Sequence, residues 1–93
     1  MKMNEYNSKV SSDVLAAISG LEIGSRSIGD VQAVLQSAIP QFENDGSEVA
    51  DAVRLAEADI EEIQFTTLRD EQLGAVIFRL RDLRDILDEA SDI

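Results

Sequence analysis

The 93-residue chain is predicted to be all-α, a small antiparallel helical bundle of about four helices with the last two long and paired. Three observations predict this class. Val49, Val53, Ala56, Ile60 and Ile63 step by four, three, four and three, the spacing that keeps apolar side chains on one helical seam. Leu73, Val76 or Ile77, Leu80, Leu83 and Leu87 repeat such a seam further along. No stretch alternates at period two as a half-buried strand would, and there is no internal repeat or low-complexity tract. An amphipathic helix of this length is marginal alone in water, so each seam needs a partner. The short polar stretch between the two makes them antiparallel neighbours.

Taken in order, residues 1–10 read as a frayed polar leader to a single domain spanning 1–93. Ser11 or Ser12 is placed to cap a short first helix with Val14, Ile18 and Leu21 on one face, ended by Gly20 and Gly24. Ser27 opens the second helix, with Asp30 as the capping-box acid three residues on. Ile28, Val31, Leu35 and Ile39 form its stripe, widened by Val34 and Ala38, and Pro40 ends or kinks it by removing the N–H owed to Gln36. "ENDG" is a turn cluster, after which Ser47 is the expected cap of the third helix. "QFTTLRD" interrupts the pattern, and Thr67 with Asp70 is the expected start of the fourth. The first two helices are then expected to cover the apolar edge that the long pair leaves open.

Nineteen acids against eight bases give a net charge of −11. That balance opposes direct binding to nucleic acid or to an anionic membrane surface, both of which need Lys/Arg clusters, and suits a basic protein partner. The acidity is uneven: residues 43–62 hold eight acids and one arginine, and so supply −7 of the −11. Without cysteine there is no disulfide framework or thiolate chemistry, and without histidine the commonest general base and metal ligand is missing. No apolar run approaches a membrane span and the N-terminus has no signal-like core, so a cytoplasmic protein without cofactor is expected.

Two motif readings fail on their own residues. Gly46 at position six of a calcium loop would put Ala52 where the bidentate glutamate belongs. Ser47 as the attachment serine of an acyl carrier lacks the Asp-Ser-Leu surroundings, being flanked by Gly46 and Glu48. Paired carboxylates for acid–base catalysis belong in a cleft that splits their pKa values, whereas these fall on outward faces, so no enzyme is expected.

Two surfaces remain as candidates. On the third helix Glu48, Asp51, Leu55, Asp59 and Glu62 share a stripe beside the buried seam, with Ala52 between. Either Leu55 extends the core and the acids are only solvated, or Leu55 is an apolar anchor inside a charged rim, the anatomy of a surface that binds a basic partner. On the fourth helix Phe78 projects almost opposite Leu73 and Leu80, one turn from Gly74. A ring beside a flat spot suggests packing there, by another helix of this chain or by a second copy. Arg81 with Asp85 and Arg84 with Asp88 are spaced as ion pairs along the helix, worth ~0.3–0.5 kcal/mol each.

The segment "IPQFENDGSEVADAVRLAEADIEEIQFTTLRDEQLGAVIFRLRDL" resembles small acidic all-helical immunity proteins that neutralise bacterial polymorphic toxins. The shared plan is an apolar-aromatic turn, an acidic helix start, a long amphipathic helix, a polar loop and a final helix. The resemblance implies an inhibitor docking on a basic toxin and transfers no individual binding residue. The expectation is a non-enzymatic, acidic protein-interaction module. Its alternative is a structural helical protein that homodimerises, its acids serving only solubility.

Overall fold

In the computed structural model, which describes residues 2–91, four helices account for most of the chain: α1 (Glu5–Glu22), α2 (Ile28–Ala38), α3 (Val49–Thr66) and α4 (Gln72–Ser91). Short 3-10 turns, Ile39–Gln41 and Arg69–Glu71, follow α2 and precede α4. There is no strand among the described residues. The long helices α3 and α4 pack against each other, α1 against α2, and the two pairs join through α1–α4 and α2–α3. The ring encloses one cluster of apolar side chains, including Val14, Ile18, Leu35, Val53, Ile60, Val76, Leu80, Leu83 and Leu87.

Residues 5–10 of the expected leader are instead the opening turns of α1, while Met1 lies outside the described residues. Asn4 caps that helix by accepting the Asn7 N–H at 2.7 Å, so neither Ser11 nor Ser12 is the cap. Met3 is buried and its N–H donates to the Ala90 carbonyl at 2.7 Å. The seam of α1 opens with Asn7, Val10 and Val14, below the buried Met3 that precedes the helix, so a polar residue fills its first place. Asn7 is wholly buried because its side-chain amide pairs with the Glu43 backbone, donating to the carbonyl at 2.9 Å and accepting the N–H at 2.8 Å. A buried amide with both functions satisfied is tolerated where an apolar residue was expected. Gly20 lies inside α1, beside the Arg26 side chain, and it is Gly24, at φ +84°, that turns the chain after the helix.

α2 begins as anticipated. The Asp30 N–H donates to the Ser27 hydroxyl at 3.1 Å and the Ser27 N–H to the Asp30 carboxylate at 3.0 Å, a complete capping box. Ser47 does not cap α3, since Asp45 takes both its hydroxyl and its N–H. Glu48 stands at the cap position in the left-handed region, at φ +63°, and its side chain makes no capping bond. Thr67 ends α3 rather than starting α4, its N–H donating to the Ile63 carbonyl at 2.9 Å.

The α3–α4 hairpin outreaches the rest of the bundle. The last buried side chain of α3 is Ile60 and the first of α4 is Val76, so no residue from Glu61 to Ala75 is buried. Leu73, expected in the core, is 48% exposed for this reason. This overhang accords with an elongated molecule, 38 × 23 × 19 Å.

Candidate interaction surface

Most of the acidity of residues 43–62 is engaged within the fold. The Glu43 carboxylate accepts the Asn4 side-chain amide at 3.0 Å, and Asp45 accepts the Asn4 N–H at 2.7 Å. Glu57 receives Gln32 and Gln36 of α2 at 3.0 and 3.2 Å. Asp51 pairs with Arg54 along the helix at 2.8 Å, and Asp59 with Arg79 across to α4. Of the eight, only Glu48, Glu61 and Glu62 have no hydrogen-bond or ion-pair partner for the side chain among the described residues.

Burial pushes the Asp45 carboxyl up. The Ser47 hydroxyl, the Asn4 and Ser47 N–H groups and Asn7 outweigh it and bring its pKa down to about 2. Glu22 is held below the usual carboxylate range chiefly by hydrogen bonding from Arg84, and Asp30 by the Ser27 N–H. Arg84 and Arg81 both pair with Glu22 of α1, so they tie α1 to α4 instead of forming the expected bridges to Asp88 and Asp85.

The Asp59–Arg79 pair and the bond from the Gln72 side chain to the Gln64 carbonyl fix the antiparallel register of α3 and α4. They also show which flank of each helix borders the groove. Leu55 and Glu62 lie four residues before and three after Asp59, hence on the α3 edge of that groove. Asp82 and Ile86 lie three and seven residues after Arg79, hence on the α4 edge. Ile86 stands level with Ala52, one turn from Leu55. Ser47, ahead of α3, and Ile86, Glu89 and Ala90 of α4 line one depression. Leu55 is 62% exposed and Ile86 43%, so Leu55 is no extension of the core.

The stripe of Glu48, Asp51, Leu55, Asp59 and Glu62 is thus not one groove edge, since Glu48 and Asp51 line, with Phe42, Glu43, Asn44, Asp45 and Arg54, a hollow that holds no residue of α4. Asp59 serves α3–α4 pairing, Asp51 is neutralised by Arg54, and Glu48 and Glu62 are free. Ile86, Asp82 and Glu89 were not anticipated, because a stripe read on one helix says nothing of what its neighbour adds.

Phe78 is 73% exposed, and a Cβ added at Gly74 would meet nothing within 4 Å. Packing of Phe78 against another helix of the same chain is therefore overturned. It has company that the sequence reading passed over: Phe65 is 83% exposed and Leu68 70%. Both sit in the stretch read only as a break in the pattern. Compared with known protein families, curated proteins and solved structures, the chain matches none.

Proposed function

We propose that the chain is a non-enzymatic, acidic protein-interaction module that receives a basic partner in the α3–α4 groove. The observation that carries this reading is Leu55. A leucine more than half exposed on a helix edge contributes little to folding, yet it shares that flank of α3 with Asp51, Asp59 and Glu62, while Asp82 and Ile86 follow Arg79 along the facing flank of α4. An apolar centre inside an acidic rim matches a partner whose own apolar contact is ringed by Lys and Arg. Glu48 adds to the case. A glutamate at φ +63° where glycine or asparagine would be easier is a strained placement for a residue whose carboxylate does nothing for the fold. The likeness to immunity proteins gives the proposal its specific form, an inhibitor that covers a basic toxin.

The test is affinity capture from the native lysate at low and at high salt, with wild type and with Leu55→Arg. A basic protein held at low salt, released at high salt and lost with Leu55→Arg supports the reading. Capture insensitive to both salt and Leu55 overturns it.

A further inference from the structure

Asp45 is the only aspartate or asparagine of the chain that a glycine follows. That pairing carries a chemistry of its own, because a backbone nitrogen with no Cβ beside it is open to the side-chain carboxyl of the preceding residue. The two residues stand in a stretch without regular structure, between the turn at Ile39–Gln41 and α3. Gly46 is exposed, at φ +83°, and its N–H donates to no acceptor among the described residues. The nitrogen is thus uncommitted, whereas the carboxyl is held. One Asp45 oxygen accepts the Asn4 N–H at 2.7 Å, and the other accepts the Ser47 N–H at 2.9 Å and the Ser47 hydroxyl. These donors come from the start of α1 and from the next turn of the loop, so Asp45 ties the two segments together.

We infer that Asp45–Gly46 is a site of spontaneous backbone isomerisation, and that the Asn4 and Ser47 donors hold it closed in the folded chain. In the reaction the Gly46 nitrogen bonds to the Asp45 side-chain carbon, while its proton and the carboxyl hydroxyl leave as water. The cyclic imide that results takes up one water. Addition at the side-chain carbonyl restores aspartate. Addition at the main-chain carbonyl breaks its bond to the Gly46 nitrogen, and the chain then continues through the side-chain carbon as isoaspartate. No oxidant, reductant or second protein is consumed. Loss of water requires the neutral acid, and hydrogen bonds made to the charged form disfavour it. With the Asp45 pKa at about 2 against the ordinary 3.8, the neutral acid is roughly 50-fold rarer than in a free aspartate at neutral pH. Isoaspartate cannot restore the tether, since its backbone is one carbon longer and its carboxylate sits on Cα itself. Conversion therefore locks open a tether that has once let go. The inference concerns the turn into α3 and stands apart from the proposed function.

The test is to age the full chain at neutral pH and physiological temperature, then map it with a protease that cuts before aspartate but not before isoaspartate. Isoaspartate should accumulate at residue 45, at least ~tenfold more slowly in the folded chain than in the same chain held in urea. Asn4→Pro removes one donor at a residue whose φ of −75° suits proline, and Ser47→Ala removes another. Each variant that keeps its helical circular dichroism should convert at least ~threefold faster than wild type. The purified isoaspartyl chain should melt below the unconverted one. Equal rates in the folded and the urea-held chain, a folded variant that converts no faster than wild type, or product at other aspartates in place of Asp45 overturns the inference.

Discussion

At the scale of single residues, polar groups at the α1 end decide more than their exposure suggests. The Ser11 hydroxyl is buried with no hydrogen-bond partner, alone in this among the described side-chain polar atoms. An orphaned buried hydroxyl costs about 1–3 kcal/mol, and its removal leaves a cavity smaller than a methyl. Ser11→Ala is therefore expected to stabilise the fold by ~1 kcal/mol, a melting point higher by roughly 4–8 °C on the scale of a chain this size. A lower melting point would mean that the hydroxyl has found a partner in solution. Asp45 gives a prediction in pH. Its folded-state pKa is about 2, below its ordinary 3.8, so the stability it contributes is complete above the ordinary value. That stability is lost as pH falls from about 4 toward 2, because the unfolded chain takes up the proton first. Asp45→Asn removes this titration. Thermal unfolding of the variant should show a flatter decline across that acid window, and parallel curves for variant and wild type would rule the mechanism out.

At the scale of elements, the hairpin of α3 and α4 depends on a few seam residues and is indifferent to others one place away. Ile60 is wholly buried, so Ile60→Asp would put an unpaired carboxylate into the core and should abolish cooperative unfolding in circular dichroism. Leu55, five residues earlier, should change stability by less than ~0.5 kcal/mol on truncation to alanine. A large drop in melting point at Leu55→Ala would return it to the core. The same contrast shows what the sequence could disclose. Apolar spacing was sufficient for the seams of α2, α3 and most of α4, and the Ser27–Asp30 box marked its helix start by chemistry alone. The start of α1 stayed hidden because Asn7 fills a seam position, its burial made tolerable by the Glu43 backbone thirty-six residues away. Ser47 was misplaced for a similar reason, as Asp45 competed for the hydroxyl that would have capped α3. Leu73 and Phe65 fall in a pattern that any helix could bury. Their exposure follows from how far α1 and α2 reach, which no local spacing encodes. On the candidate site, the helical wheel found Leu55 and its acids, whereas Ile86 joined them only once the register of the pair was known.

For the whole molecule, the question is whether a charge of −11 acts through its sum or its placement. The sum affects any approaching cation and any second copy. Placement matters only to a partner that docks at one groove. Five of the eight carboxylates in residues 43–62 are drawn into internal bonds, which leaves Glu48, Glu61 and Glu62 without a side-chain partner among the described residues, Glu48 and Glu62 belonging to the stripe around Leu55. Two double variants separate the alternatives. Glu48→Gln with Glu62→Gln, and Glu5→Gln with Asp13→Asn on α1, each bring the net charge from −11 to −9. All four side chains are exposed, so neither pair should cost stability. If a basic partner is steered into the groove, association should slow by several-fold to ~tenfold for the first pair and hardly at all for the second. The salt dependence of the on-rate should flatten in the same order, while Leu55→Ala chiefly speeds dissociation. Equal slowing by both pairs would show that the acidity acts only as a diffuse field. No slowing by either would return these carboxylates to the plain role of keeping a small helical bundle in solution.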